Sequence, residues 1–246
     1  MFHPCVVIPV YNHEHAIGKV VAQVLGHGLP VILVDDGSSP ACAAVLDGLA
    51  GQYPGRVVLE RLPVNQGKGG AVLRGFARAA QGGYSHVLQV DADGQHTVGD
   101  VPRFLDAARA RPEAIIAGCP VYDESVPKLR LYARYLTHVW VWINTLSLAI
   151  TDAMCGFRVY PVAPVLALAA RRRLGLRMNF DIEILVRLYW DNLQVVNLPT
   201  RVGYPEDGVS HFQAWTDNVL ITRLHVALFF GMLARMPSLL GRTWRA

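Results

Sequence analysis

Short apolar runs recur along the first part of the chain, each closed by a polar, turn-forming loop. They occupy residues 5–10, 31–34, 57–60 and 87–90, with a further run at 114–118. Runs of this length bounded by turn formers read as strands buried on both faces, which belong to parallel sheets. Between them, apolar residues fall at helical spacing over about residues 16–25, 41–49, 71–81 and 100–109. Strand and helix alternating at these lengths means parallel pairing through right-handed crossovers. The expected fold is therefore α/β, a Rossmann-like and mostly parallel sheet flanked by helices. In such sheets ligands bind beyond the carboxyl ends of the strands.

Composition limits what that sheet can serve. The 246 residues suffice for one substantial α/β domain. With 52% hydrophobic and 17% charged residues and a mean hydropathy of +0.27, some apolar surface is expected to face something other than water. No run reaches the roughly 18 uninterrupted apolar residues of a spanning helix, so none is expected to cross a membrane. Met1-Phe2-His3-Pro4-Cys5 leads straight into a strand without a basic region and apolar core, so no signal peptide is expected and catalysis should be cytosolic. Cys5, Cys42, Cys119 and Cys155 are widely spaced with no C-x-x-C pair, which argues against zinc and against a disulfide framework. A net charge of +4 and a pI near 9.0 suit an anionic ligand or a membrane surface. No dense basic tract interleaved with aromatics is present, so nucleic acid is not an expected partner.

The chemistry concentrates in Asp91-Ala92-Asp93-Gly94-Gln95-His96, directly after the fourth strand. Asp91 and Asp93 are two apart, a spacing that projects both carboxylates to one side near a strand end, and Gln95 continues the series. Hard oxygen ligands of this kind suit Mg²⁺ or Mn²⁺, and with them a substrate carrying phosphates. Such sequences also favour turns. Asn65-Gln66-Gly67-Lys68-Gly69-Gly70 precedes the third helix. Glycines there let backbone approach a ligand, free amides at a helix start favour an anion, and Lys68 adds a point charge. The P-loop and dinucleotide spacings are both missing.

The second half changes character. Residues 129–150 are aromatic and aliphatic, with cations including Arg134 gathered at the start and Trp140 and Trp142 within. That pattern suits a helix lying in a membrane interface, or equally a core helix with a basic tip. Residues 157–160 and 195–198 read as strands and 181–193 as a helix. Beyond Trp215 the chain is apolar with scattered cations, interrupted at Met236-Pro237, and reads as amphipathic helices facing a membrane or a partner. The division expected is a domain over residues 1–211 and a helical tail over 212–246, whose apolar surface also allows self-association into a homo-oligomer.

Taken in order, Pro9-Val10-Tyr11-Asn12, Val34-Asp35-Asp36-Gly37-Ser38, Asn65-Gln66-Gly67-Lys68-Gly69 and Asp91-Ala92-Asp93-Gly94-Gln95-His96 resemble a family 2 glycosyltransferase of the GT-A fold. Their spacing is similar to that of the branch containing dolichyl- and polyprenyl-phosphate mannose or glucose synthases, and Asp152-Ala153-Met154-Cys155-Gly156-Phe157-Arg158 resembles a further segment of it. The likeness covers about residues 5–210. It implies a nucleotide-diphosphate sugar donor, UDP- or GDP-linked, and a lipid-linked acceptor at the inner face of the cell membrane. Pro9, Tyr11 and Asp36, with Asn12, Gly67 and Ala92 beside them, would hold the nucleotide. Asp91 and Asp93 would bind the diphosphate through the metal, with Gln95 a further ligand, and Lys68 and Arg158 would lie near phosphate groups. Ser210 and His211 would meet the acceptor.

Three departures bear on the acceptor. Gly118 is followed by Cys119-Pro120-Val121-Tyr122 where the branch carries an arginine, Gly208-Val209-Ser210-His211 ends in histidine rather than lysine, and Asn179-Phe180-Asp181-Ile182-Glu183 adds a carboxylate. A polyprenyl phosphate acceptor is already anionic and needs no base. A hydroxyl of a glycolipid or other lipid needs one, and Asp181 or Glu183 is then the candidate. Asp181 could equally be a helix N-terminal carboxylate stabilised by the dipole. Readings of another class are a nucleotidyltransferase and a non-catalytic membrane scaffold.

Overall fold

The computed structural model describes residues 1–121, 128–203 and 211–243. Its centre is one seven-stranded sheet in the order β3-β2-β1-β4-β6-β5-β7. The first half builds it as the periodicity predicts: β1 Pro4–Val10, α1 Ile17–Gly26, β2 Val31–Asp35, α2 Pro40–Gln52, β3 Val57–Arg61, α3 Lys68–Gln81, β4 His86–Gln89, α4 Val101–Ala110 and β5 Ile115–Val121. Next come α5 Lys128–Thr145, β6 Arg158–Pro161, α6 Val162–Arg171, α7 Phe180–Trp190, β7 Val195–Arg201, α8 Ala214–Leu233 and α9 Met236–Thr243. β6 runs antiparallel between β4 and β5, and the other pairings are parallel.

Side chains on these strands alternate between two cores, the consequence of a period of two on a pleated sheet. Val6, Ile8 and Val10 of β1, with Val31 and Leu33 of β2 and Leu88 of β4, face α1, α2 and α4. Cys5, Val7, Ile32, Val34 and Val87 face the opposite layer, made by α3, α6, α7 and α8. This alternation fixes which polar residues meet. Gln89 shares the face of Val87, and Arg158 shares that of Tyr160, so both are directed at α7.

Several sequence expectations shift. The third helix begins at Lys68, not residue 71, so its glycines lie inside the first turn. The helix expected over 129–150 stops at Thr145, and that over 181–193 stops at Trp190. The periodicity missed α6, whose apolar stretch follows β6 without a polar break.

α5 has one buried and one exposed face. Thr137, Val141, Asn144 and Thr145 recur at helical spacing on a buried face, while Leu131, Tyr132, Tyr135 and Leu136 are exposed. α8, read from the sequence as part of a tail, packs inward. Ile221, Leu224, Leu228 and Met232 join the core of the α7 layer. Asn144 Nδ2 lies 3.2 Å from His225 Nδ1, and Trp190 Nε1 donates to Asn144 O at 2.9 Å. Among the described residues no helix is long and apolar enough to cross a membrane.

Candidate active site

The carboxyl ends of β1, β2 and β4 form a shelf, and short polar side chains stitch its loops together. Asn12, in the left-handed region at φ 52°, accepts from Ser39 N at 2.7 Å and its own amide donates to Ser38 Oγ at 3.2 Å. Asp36 is buried and accepts from Gln66 N at 2.7 Å and Gly67 N at 2.8 Å, tying the β2 loop to the start of α3. Burial lifts the Asp36 carboxyl above its usual range, against those two amides. Gly67 has φ +90°, and a Cβ there would meet the Leu176 carbonyl oxygen and come within 3.2 Å of Arg177 Cδ. Only glycine fits both the dihedral and the space.

That close approach corrects one expectation. The amides at the start of α3 are not free for an anion, because Gly69 N and Gly70 N donate to Leu176 O at 2.8 and 3.3 Å. A carbonyl from the loop before α7 takes the place the sequence reserved for phosphate.

Asp91 is the hub. Lys68 Nζ lies 2.8 Å from Asp91 Oδ1 and 2.8 Å from Asp181 Oδ2, bridging β4 to the first turn of α7. His96 Nε2 is 3.4 Å from Asp91 Oδ2. Burial alone would raise the Asp91 carboxyl, but Lys68 and His96 outweigh it and hold it well below the usual carboxylate range. Burial likewise opposes the Lys68 charge, and the Asp181 and Asp91 carboxylates overcome it, holding the ammonium above its usual value. Gly156 lies against Asp91: a Cβ there would sit 2.6 Å from Oδ1. Ala92 is buried and Asp93 half-buried, with Asp93 Oδ1 accepting from Gln95 N at 3.0 Å. The loop is anchored to the end of β7, since Gly203 N donates to Gln95 O at 3.0 Å and Thr97 Oγ1 to Arg201 O at 2.9 Å.

Beneath the hub the sheet supplies a polar floor. Gln89 Nε2 donates to Asp181 Oδ1 at 3.0 Å, and Arg158 Nη1 donates to Asp181 O at 2.7 Å and Tyr160 Oη at 2.9 Å. Arg158 is fully buried, so it supports Asp181 from below instead of facing a phosphate, a second correction that follows from the strand alternation. Glu183 is also set apart from the hub. Two positions along a helix turn a side chain to the far face, and Glu183 accepts from Gly175 N and Arg187 Nε, both at 2.7 Å. Gln89 and Gly156 were overlooked as site residues. Gln89 left a signal, a lone amide in the apolar run of residues 87–90.

At the open side, the Tyr11 and His211 rings are 5.1 Å apart and His13 is 5.0 Å from His211. Burial and then His211 lower the His13 pKa, against Asp93 and Asp91. Pro9 is half-buried at the end of β1. Gly208, Val209, Ser210 and Tyr122 lie outside the described residues.

Asp91, Asp93 and the Gln95 amide oxygen are donors of the kind a hard divalent cation takes, and the Lys68 ammonium shows that Asp91 accepts a cationic partner it would have to exchange for the metal. Among the described residues no group of three or more His, Cys, Asp or Glu could hold a metal. Mg²⁺ and Mn²⁺ sites built from one or two carboxylates, with water and substrate phosphate completing the shell, need no such group. The residues present therefore fit a cation that arrives with a phosphate ligand.

A mostly parallel seven-stranded sheet flanked by helices, with Asp91 and Asp93 following β4, is the architecture of the GT-A fold. Glucosyl-3-phosphoglycerate synthase from Mycobacterium tuberculosis, solved in complex with Mn²⁺, uridine-diphosphate and phosphoglyceric acid, shares that fold, with a TM-score of 0.67 and 16% identity over 94% of this chain and 78% of that one. The family described as Glycosyl transferase family 2 matches residues 5–166, and the chain belongs to it. Polyprenol monophosphomannose synthase of Mycolicibacterium smegmatis is 31% identical over 221 residues, 83% of this chain and 79% of that protein. Undecaprenyl-phosphate mannosyltransferase of Micrococcus luteus is 26% identical over 210 residues, 83% and 85% of the two chains. Membership of this family sets aside the nucleotidyltransferase and scaffold readings.

Proposed function

We propose that this glycosyltransferase moves a sugar from a nucleotide-diphosphate donor, UDP- or GDP-linked, onto a polyprenyl phosphate, with inversion at the anomeric carbon. The observation that carries the choice of acceptor is the engagement of both candidate bases. Asp181 is held by Lys68 and Gln89, and Glu183 by Arg187 and Gly175. A carboxylate whose oxygens already accept from a lysine ammonium and an amide is engaged, and is not open to take the proton of an acceptor hydroxyl. A phosphate acceptor needs no base. The relatives named for polyprenol and undecaprenyl phosphate chemistry support the same choice.

Under this reading Asp91, Asp93 and Gln95 hold Mg²⁺ or Mn²⁺, which when bound supplies positive charge to the departing diphosphate. Pro9, Tyr11, Asn12, Asp36, Gly67 and Ala92 shape the nucleotide side, with Lys68 between the two carboxylates behind it. An acceptor phosphate oxygen attacks the anomeric carbon from the face opposite the diphosphate. The new C–O bond forms as the bond to the diphosphate breaks, the electron pair leaves with the diphosphate, and no proton moves. His211, whose ring lies 5.1 Å from that of Tyr11, would meet the acceptor.

The protein works at the inner face of the cell membrane, lying on it. Exposed Tyr132 (71%), Tyr135 and Leu136 of α5 and Trp215 (84%) and Phe230 (65%) of α8 are the aromatic and aliphatic side chains that seat an interfacial helix.

The test offers purified protein GDP- and UDP-linked sugars with Mn²⁺, and either polyprenyl phosphate or the matching polyprenol. Transfer to the phosphate alone is expected. Equal transfer to the alcohol would overturn the acceptor assignment.

A further inference from the structure

Lys68 occupies a position that neither a phosphate contact nor a simple surface lysine explains. Its ammonium is 2.8 Å from a carboxylate oxygen of Asp91 and 2.8 Å from one of Asp181, which sit on different elements, β4's loop and α7. Arg158, fully buried, completes a set of two carboxylates and two cations beneath the shelf. Asp91, Asp181, Lys68 and Arg158 thus balance one another in charge. A divalent cation adding itself to Asp91 would break that balance, and it would compete with the ammonium for the same oxygens.

We propose that Lys68 is a built-in stand-in for the metal: it holds Asp91 while no nucleotide is present and retreats onto Asp181 when the cation arrives. The inference rests on the metal reading of Asp91, Asp93 and Gln95 given above, and goes beyond it by assigning Lys68 and Asp181 a positioning role in metal uptake. Asp181 is the parking place, fixed from below by Gln89 and through its carbonyl by Arg158. Lys68 keeps its proton throughout, because a carboxylate partner is present in both positions. The diphosphate brings the negative charge that makes the exchange favourable, so cation and nucleotide bind together and neither binds well alone.

The test measures Mn²⁺ uptake directly, from the loss of the free-ion paramagnetic resonance signal, at neutral pH with and without UDP or GDP. Without nucleotide, Lys68→Met should bind Mn²⁺ about tenfold or more tightly than wild type, since the competing ammonium is gone. Lys68→Arg keeps the charge and the fold, and should bind as weakly as wild type. Asp181→Asn removes the parking place, leaves Lys68 to Asp91 alone, and should weaken Mn²⁺ uptake with nucleotide present. Unchanged or weaker Mn²⁺ binding by Lys68→Met, or unchanged binding by Asp181→Asn, overturns the stand-in role while leaving the metal reading intact. If wild type takes up no Mn²⁺ even with both nucleotides offered, the metal reading fails and the stand-in role with it.

Discussion

Gly156 lies so close to Asp91 that a Cβ on it would come within 2.6 Å of Asp91 Oδ1 and 2.7 Å of its Cγ. The carboxylate that begins the D-x-D is therefore held by Lys68 and closely approached by the bare backbone of Gly156 in the segment before β6. Gly156→Ala must push the carboxylate away, and misplacement by about 1 Å can cost on the order of 100-fold in rate. Transfer rate should fall by roughly that factor while metal-dependent nucleotide binding weakens in parallel. Steady-state kinetics with a binding titration checks both, and an alanine enzyme of wild-type rate would show that Asp91 does not need this position.

Gln89 is the only polar side chain of β4 facing α7, and it donates to Asp181. Gln89→Leu keeps the volume and removes the donor, leaving one Asp181 oxygen with a lost partner in a buried setting. The expected cost is about 1–3 kcal/mol of stability, read as a lower urea midpoint at unchanged slope.

The buried carboxylate of Asp152 makes stability depend on acid. Arg134 Nε and Nη2 donate to it at 2.6 and 2.7 Å, and His138 Nε2 is 3.2 Å away. Burial would raise its pKa, but His138 and Arg134 outweigh burial and hold it below the usual carboxylate range. A folded-state value below the unfolded one stabilises the fold at pH above the ordinary carboxylate range, and that contribution is lost as pH falls through that range toward the folded value. Stability measured from neutral pH downward should decline over this window in wild type. Asp152→Asn should be less stable at neutral pH and show a shallower acid dependence. A parallel pH profile for the two proteins would contradict the assignment.

The exposed face of α5 and α8 predicts membrane partitioning that can be removed without unfolding. Trp215→Ser with Phe230→Ser replaces side chains that are 84% and 65% exposed, so the melting temperature should hold. Co-sedimentation with anionic vesicles should drop by about tenfold, the scale expected from losing two large interfacial side chains. Whole-helix deletion is the wrong instrument, because Ile221, Leu224, Leu228 and Met232 are part of the core.

Much of this architecture was legible in the chain. The first five strands announced themselves as short apolar runs, and the D-x-D fell where an α/β sheet presents ligands. The polarity of the floor was half visible, since Gln89 broke an apolar strand, yet its partner Asp181 lies 92 residues on and no local pattern names it. Arg158 misled because a sequence shows a cation and not the face of the strand it occupies. The α3 amides misled for a similar reason: Leu176 O, which caps them, comes from a loop more than a hundred residues away. Glu183 was separable from Asp181 only by helical geometry, which turns carboxylates two residues apart to opposite faces. The tail hid its inward face because apolar residues surround α8, and an all-round apolar helix does not say which side is buried.

A nucleoside diphosphate held through a divalent cation at Asp91 and Asp93 is the centre of the proposed reaction. The most direct test is calorimetric titration of UDP and of GDP, each with Mn²⁺ and again with chelator, into wild type and Asp93→Asn. One diphosphate should bind wild type only when Mn²⁺ is present, and that binding should vanish in the variant. Binding of either diphosphate that is equally tight with chelator, or unchanged in Asp93→Asn, would contradict the account.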